Sequence, residues 1–272
     1  MGGGQEPFGD AEMNSAYGDH VKLALDGHVA VVTLDRPPHN FVSVDFMRDL
    51  ADALEAVDGH GPARAIVLQS EGRTFCGGAD FSSDTDQVAS GMDGVQALYA
   101  QAIRLFSVET PIVAAVQGSA VGAGLGLALV ADFRVAAPEA RFVANFTKLA
   151  FHPGFGLTYT LPRIIGPQRA SLMFLTGRRI KADQALEWGL CDELVPAEDL
   201  RAAALRLARE IAENAPLAVV ATRKTLRAGL AEAVKAQTFI EHHEQTLLRA
   251  TEDFKEGVLS VAERRPGNWL GR

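Results

Sequence analysis

Two glycine-rich passages, each at a point where a buried strand gives way to a helix, constrain the fold of this chain most. Residues 70–81 follow the short apolar run 65–69, and residues 117–128 follow the apolar run 111–116. Glycine allows the backbone to turn sharply and to approach a ligand closely. The first N–H groups of a helix lack intrahelical partners, and the helix dipole favours negative charge beside them. Together, the two passages can direct two backbone amides at one oxygen atom, as in an oxyanion hole.

The same glycines are also compatible with a simpler structure. One glycine cluster alone is a weak signal for a ligand site, because a tight turn with close packing of a helix explains it equally well. Two clusters on neighbouring strand–helix units favour a ligand site over two unrelated turns.

Strands and helices alternate through the first two thirds of the chain. Apolar and β-branched residues flank Asp26-Gly27, which predicts a β-hairpin over 21–34. Strand and helix patterns then alternate to about residue 195, which is typical of an α/β fold with parallel strands. We therefore predict a flexible tail at 1–18, an α/β core at 19–198 and a helical region at 199–272.

The helical region carries an apolar stripe. Within it, Ala233, Ala236, Ile240, His243 and Leu247 recur at a spacing of three to four residues, which predicts a long helix. The region is too short for a large core of its own. We expect it to pack on the α/β body, on a neighbouring subunit, or on both.

Charge and cysteine content exclude several classes of function. The 272 residues include 26 Lys and Arg against 34 Asp and Glu, and a net charge of -8 does not suit non-specific binding of nucleic acid. Cys76 and Cys191 have no paired spacing that indicates a disulfide framework or a zinc site, so we expect a cytoplasmic location. No apolar stretch is typical of a signal peptide or a membrane span, and we expect no membrane partner.

Several motifs resemble one known family. They are Thr74-Phe-Cys-Gly-Gly-Ala-Asp80, Gly118-Ser-Ala-Val-Gly-Ala-Gly124, Leu175-Thr-Gly177 and Asp192-Glu-Leu-Val195. In this spacing they resemble the enoyl-CoA hydratase/isomerase, or crotonase, superfamily, and the resemblance covers nearly the whole chain. It implies a ClpP/crotonase-like spiral of β-β-α units followed by a C-terminal α-helical trimerisation region. It also implies homotrimers, often paired into hexamers.

The resemblance also implies a site. It places the oxyanion amides at Ala79 and Ala123, where the family usually has glycine at the second position. The amide of Ala123 is retained as a donor only if alanine can adopt the local backbone conformation. For Arg264, contact with coenzyme A phosphates and a solvated helix end are equally compatible with the sequence. The expected substrate and coenzyme A contacts are Pro38, His39, Gly77, Asp80, Phe81, Gly122, Phe146 and Arg264.

Two carboxylates of the family pattern are missing. Hydratase members carry two catalytic glutamates, and the matching positions here are Gly126 and Phe146. Hydration of an enoyl thioester needs a base for the water and an acid for the α-carbon, and neither residue can supply them. The aspartate nucleophile of dehalogenase-like relatives matches Gly154, so nucleophilic dehalogenation is disfavoured as well.

His152 is the remaining candidate for a general base. A histidine with a pKa near neutrality can carry a proton, but a structural histidine that binds a loop carbonyl beside Pro153 is an alternative. The resemblance also implies an acyl-pocket residue near Tyr99, but we interpret Tyr99 as a core tyrosine. We interpret Cys76 as a small buried residue rather than a nucleophile. The run 241–244 holds Glu and His, but neighbouring histidines point apart on a helix, so we predict no metal site.

These observations predict an enzyme that acts on an acyl- or enoyl-CoA thioester. The expected chemistry is isomerase or lyase chemistry through a stabilised enolate, completed by a proton carrier such as His152. A protein that binds acyl-CoA with little or no catalysis is the alternative. We expect no permanently bound cofactor, because coenzyme A arrives as part of the substrate.

Overall fold

Two β-sheets and ten α-helices make up the part of the chain that this computed structural model describes, residues 15–60, 62–79 and 94–272. The strands are β1 (Ser15–Tyr17), β2 (Val21–Asp26), β3 (Val29–Leu34), β4 (Ala65–Ser70), β5 (Ile112–Val116), β6 (Ser119–Val121), β7 (Phe133–Ala136), β8 (Arg141–Val143), β9 (Arg179–Lys181) and β10 (Glu193–Leu194). The helices are α1 (Val44–His60), α2 (Gly94–Ser107), α3 (Ala123–Val130), α4 (Leu157–Ile165), α5 (Pro167–Thr176), α6 (Ala182–Trp188), α7 (Leu200–Ala212), α8 (Pro216–Leu226), α9 (Leu230–Arg249) and α10 (Glu252–Ala262). Short 3-10 helices lie at Phe146–Leu149 and Ala197–Asp199.

The larger sheet has seven strands in the order β1-β2-β3-β4-β5-β7-β10. The strands from β3 to β10 pair in parallel, whereas β1 and β2 pair antiparallel at one edge. The hairpin predicted over 21–34 is confirmed, with Gly27 at a φ of 59° in its turn. The predicted α/β class with a parallel sheet is likewise confirmed.

The predicted flexible tail is wrong at its C-terminal end. Residues 1–14 lie outside the described part of the chain, but Ser15–Tyr17 forms a strand that pairs with β2. Tyr17 also packs against the main hydrophobic core. The short polar segment does not indicate a strand by itself, because its pairing comes from the open edge of β2 and its burial from the core beneath.

The smaller sheet joins the two glycine-rich passages. Its order is β6-β8-β9, and β6 begins after a break of only two residues from β5. Isolated bridges connect Cys76 with Ala120 in β6 and Ala79 with Val42. These pairings hold the loop after β4 directly beside the loop that leads into α3.

Both faces of the large sheet are covered. One face carries the main core, in which Phe46, Leu50 and Leu54 of α1 pack against the sheet. The other face carries a smaller core closed by α7, whose buried residues are mostly alanine. Because alanine is small, α7 lies close to the sheet. No helix among the described residues is long and apolar enough to cross a membrane.

Helix α8 is tied to the body by buried charge. Arg223 and Arg227 bind Asp132, with N–O distances of 2.8 and 3.0 Å. Asp132 also accepts the backbone N–H of Ile112, the first residue of β5. Removing Asp132 would therefore leave two buried guanidinium groups unpaired, which is costly.

The apolar stripe of α9 does not pack on the chain's own body. The helix buries Val234, Thr238 and Glu241, whereas Ile240 is 52% exposed and Leu247 is 56% exposed. Spacing identified the helix correctly, but not the face that the body covers. The polar face of α9 contacts the body instead, and it supplies side chains to a cavity.

Candidate active site

The two glycine-rich loops touch each other. Gly78 has a φ of 90°, and a Cβ there would lie 2.6 Å from the carbonyl oxygen of Val121 and 3.8 Å from the nitrogen of Ala123. Gly124 also lacks room for a side chain, because a Cβ would lie 2.8 Å from the carbonyl carbon of Cys76. These contacts require glycine and bring the backbone of the first loop against the start of α3.

Ala79 and Ala123 present amides at this junction. Ala123 is the first residue of α3, so its N–H has no intrahelical acceptor, and Ala79 N donates to no described residue. The strained position is taken by Gly122, with a φ of 54°, and its N–H donates to the Val143 oxygen at 2.9 Å. Ala123 itself is not among the described residues with positive φ, so alanine fits here without strain.

A cavity of about 330 Å³ opens at the two amides. It is lined mainly by apolar side chains, and its described lining contains no Asp, Glu or His. The described lining residues are Gly77, Gly78, Ala79, Val95, Leu98, Tyr99, Val121, Gly122, Ala123, Asn145, Phe146, Leu149, Phe151, Gly154, Phe155, Arg179, Gln245, Arg249 and Val261.

Aromatic side chains occupy the places where the family resemblance implies carboxylates. A Cβ at Gly126 would overlap the Phe155 ring and lie 2.7 Å from its Cγ. The Phe146 ring lies beside Gly122, since a Cβ there would be 3.6 Å from Phe146 Cζ. At Gly154, a Cβ would overlap the Tyr99 hydroxyl oxygen. The absence of the carboxylates is thus built into the packing of the cavity.

A buried polar network begins in the wall of the cavity and extends behind it. The Tyr99 hydroxyl donates to Gln245 Oε1 at 2.8 Å, and Gln245 Nε2 donates to the His152 carbonyl at 2.8 Å. Burial raises the pKa of Tyr99 far above its usual value, and the nearby Glu241 carboxylate raises it further. Tyr99 is therefore a neutral donor at physiological pH, and it is bound to Gln245 rather than lying free in the core.

Glu241 is the fully buried acid of α9. Its two oxygens accept the N–H of Gly156 at 2.7 Å, the N–H of Thr158 at 3.0 Å and the Thr158 hydroxyl at 2.5 Å. These groups stand at the start of α4, where a carboxylate is favoured. Burial nevertheless raises the pKa of Glu241 to about 7, against the lowering effect of the three hydrogen bonds.

His152 is not among the described residues that line the cavity. Its Nδ1 lies 2.7 Å from the carbonyl oxygen of Pro153, and its own carbonyl accepts the Gln245 hydrogen bond. This geometry matches the structural alternative for His152, and the catalytic role stays a prediction. Burial raises the pKa of the Cys76 thiol to about 12, so it is protonated at neutral pH and a poor nucleophile.

The expected coenzyme A contacts are only partly brought together. Gly77 N donates to the His39 carbonyl at 2.8 Å, which places Pro38 and His39 next to the first loop. Arg264 lies exposed just after α10 and does not line the cavity. The predicted contacts of Asp80 and Phe81 lie outside the described residues.

Sequence reasoning missed several of the side chains that line the cavity. Phe155, Arg179, Gln245 and Arg249 line it, and none of them belongs to a glycine-rich motif. The sequence does contain one signal for two of them, since Gln245 and Arg249 follow Glu241 at successive intervals of four residues on one helix face. No group of three or more metal-ligand side chains is present among the described residues.

This chain resembles known proteins over most of its length. The family model described as Enoyl-CoA hydratase/isomerase matches residues 25–272. This chain belongs to the enoyl-CoA hydratase/isomerase family. A probable enoyl-CoA hydratase of Rhodobacter capsulatus is 36% identical over 93% of this chain and 98% of its own. The 1,2-epoxyphenylacetyl-CoA isomerase of Escherichia coli is 32% identical over 90% of this chain and 95% of its own.

Solved structures of the same family share the fold. The crystal structure of an enoyl-CoA hydratase/isomerase from Pseudoalteromonas atlantica has a TM-score of 0.85 at 30% identity, over 93% of this chain and all of its own. The fold is therefore the crotonase fold, with the parallel sheet and the C-terminal helices described above. Family members act on CoA thioesters, which agrees with a cavity lined mainly by apolar residues beside the amides of Ala79 and Ala123, neither of which has a partner among the described residues.

Proposed function

We propose that this chain binds the thioester oxygen of an acyl- or enoyl-CoA between the N–H groups of Ala79 and Ala123. The observation that carries the proposal is the contact between the two glycine-rich loops, since Ala79 and Ala123 line one cavity and neither N–H has a partner among the described residues. Two such donors stabilise the negative charge that develops on the oxygen when the α-carbon loses a proton. Each donor contributes about 100- to 1,000-fold in rate in comparable sites.

The proposed reaction class is isomerase or lyase chemistry rather than hydration by two glutamates. Gly126 and Phe146 stand at the expected carboxylate positions, and Phe155 fills the space beside Gly126. An enolate can still form, because oxygen stabilisation does not depend on those carboxylates. A proton carrier, with His152 as the first candidate, would complete the reaction.

Binding of acyl-CoA with little or no catalysis is the second candidate. It is favoured by the lack of any Asp, Glu or His in the described lining of the cavity, since these side chains are the most frequent general acids and bases. Under either candidate no permanently bound cofactor is proposed, and coenzyme A enters and leaves with its acyl group.

The decisive experiment is hydrogen–deuterium exchange at the α-carbon. The protein is incubated in deuterated water with short, medium and aromatic acyl- and enoyl-CoAs, and mass spectrometry follows the thioester. Ala123→Pro removes one N–H at the first helical position, where proline fits the helix. Ala123→Gly is the matched control, because it keeps the N–H.

We expect exchange with the unmodified chain and the glycine variant, and a loss of about 100-fold or more in the proline variant. Equal exchange rates in the unmodified chain and both variants would show that the N–H of Ala123 does not stabilise the enolate. Tight binding without any exchange would favour the binding-protein candidate.

We also propose that the chain assembles as a homotrimer or a pair of trimers in the cytoplasm. Large apolar side chains of α8 and α9 are exposed in the single chain, including Leu217 at 85% and Phe239 at 74%. An exposed apolar patch on this scale indicates an interface. Light scattering of the unmodified protein and of Phe239→Asp tests this, and a monomeric unmodified protein would contradict it.

The proposed location in the cytoplasm rests on the two cysteines. Cys76 and Cys191 are reduced and buried, which fits a reducing compartment.

A further inference from the structure

Two arginines bring positive charge to the described lining of the cavity. Arg179 and Arg249 both belong to its described lining, which contains no carboxylate. The Arg179 side chain makes no hydrogen bond or ion pair with any described residue, whereas most other described arginine side chains are paired. Arg249 lies over the ring of Phe151, with 5.3 Å between its guanidinium carbon and the ring centroid, and it too forms no ion pair with a described residue.

The two arginines reach the cavity from unrelated elements. Arg249 lies on α9, one turn beyond Gln245, which is itself held at Tyr99. Arg179 begins β9, where it stands opposite Val143 of β8, and the Val143 oxygen accepts the N–H of Gly122. Arg179 is therefore one strand away from the proposed oxyanion loop. Two guanidinium groups that converge on one cavity form a natural site for an anion.

The position of the arginines on α9 and β9 favours an anion on the acyl group over the phosphates of coenzyme A. The segments expected to contact coenzyme A, Pro38, His39 and the loop 77–79, lie together on the side of the first oxyanion loop. The arginines stand instead on the wall built by α9 and β9. The cavity of about 330 Å³ is at the small end of ligand sites, which suits a short acyl chain.

We propose that the substrate is a short dicarboxylic acyl-CoA, whose distal carboxylate is bound by Arg179 and Arg249. This inference rests on the proposed function, because it assumes that the thioester oxygen lies at Ala79 and Ala123. A carboxylate at the other end of the acyl group then meets the guanidinium groups across an otherwise apolar cavity. The fork of an arginine binds such a planar anion through two parallel hydrogen bonds.

The test compares glutaryl-CoA with pentanoyl-CoA, which has the same number of carbons and no distal charge. Binding of each to the full chain is measured by isothermal titration calorimetry. The variants are Arg179→Met and Arg249→Met, which keep most of the apolar stem, with Arg249→Lys to retain the charge. Arg178→Met is the matched control, because Arg178 is adjacent and exposed but does not line the cavity.

The unmodified chain should bind glutaryl-CoA at least about tenfold more tightly than pentanoyl-CoA. Each methionine variant should lose about tenfold in affinity for glutaryl-CoA and keep its affinity for pentanoyl-CoA. Arg178→Met should leave both affinities unchanged, and Arg249→Lys should retain part of the preference.

Three results would overturn the inference. Equal binding of the two thioesters by the unmodified chain would show that the cavity does not recognise a distal carboxylate. An equal loss of both in the methionine variants would assign the arginines to the phosphates of coenzyme A. Failure to bind any acyl-CoA would reject the proposed function itself, and this is distinguishable because pentanoyl-CoA binding is measured separately.

Discussion

Substitution of Gly126 by alanine tests whether Phe155 occupies the space that a side chain at 126 needs. The new Cβ would overlap the ring and lie 2.7 Å from Cγ and 3.0 Å from Cβ of Phe155. Phe155 is only 1% exposed, and its ring packs edge to face with Phe106, with 6.4 Å between centroids. The ring therefore has little room to move away.

Two opposing contributions determine the expected change in stability. Replacing a glycine inside a helix by alanine stabilises the helix by about 1 kcal/mol. Adding a methyl group to a filled core costs about 1–3 kcal/mol, and about 2 kcal/mol is a reasonable value because three atoms of Phe155 lie within 3.0 Å. We expect Gly126→Ala to lower the free energy of unfolding by about 1 kcal/mol.

A variant without the ring separates the two contributions. Phe155→Ala should itself cost about 3–5 kcal/mol, because it empties a buried site. In that background Gly126→Ala meets no ring, and only the contact at 3.0 Å to the Cβ at position 155 remains, so most of the gain of about 1 kcal/mol from the helix should appear. The two substitutions should therefore show a coupling free energy of about 1–2 kcal/mol.

Urea unfolding of the four proteins, followed by circular dichroism, measures this cycle. Additive effects would show that the space beside Gly126 is open and that Phe155 does not exclude a side chain there. The explanation given above for the missing carboxylate would then be wrong.

Three further predictions concern the polar groups behind the cavity. Glu241→Gln should remove a pH dependence of the free energy of unfolding. Because the pKa of Glu241 is raised to about 7 in the folded chain, the native state binds one more proton than the unfolded state between about pH 4.5 and 7. The unmodified chain should therefore lose roughly 3 kcal/mol of stability as the pH rises through this range, whereas the glutamine variant should not. Urea midpoints at pH 5 and pH 8 check this, and parallel curves would refute it. Tyr99→Phe should lower stability by about 1–3 kcal/mol, because it leaves the Gln245 oxygen buried without its donor, and a neutral effect in thermal unfolding would contradict this. His152→Ala should reduce α-proton exchange if His152 carries the proton, and unchanged exchange in a folded variant would assign the histidine to the loop alone.

The local patterns of the sequence were sufficient to predict the α/β class and to mark the two glycine-rich loops. Alternating strand and helix periodicities predicted the parallel sheet, and Asp26-Gly27 predicted the hairpin. Glycine clusters marked the two loops because close backbone approach excludes a side chain, as at Gly78 and Gly124. These signals lie within short stretches of chain, which is why they can be recognised without the structure.

The contents of the cavity were decided only by tertiary structure. Phe155 fills the space beside Gly126, although the two lie on separate elements, and Arg179 and Arg249 converge from a strand and a helix that are distant in sequence. The spacing in α9 likewise identified a helix but not which face the body would cover. Such contacts depend on how distant elements pack, and a residue's own neighbours along the chain do not determine that packing.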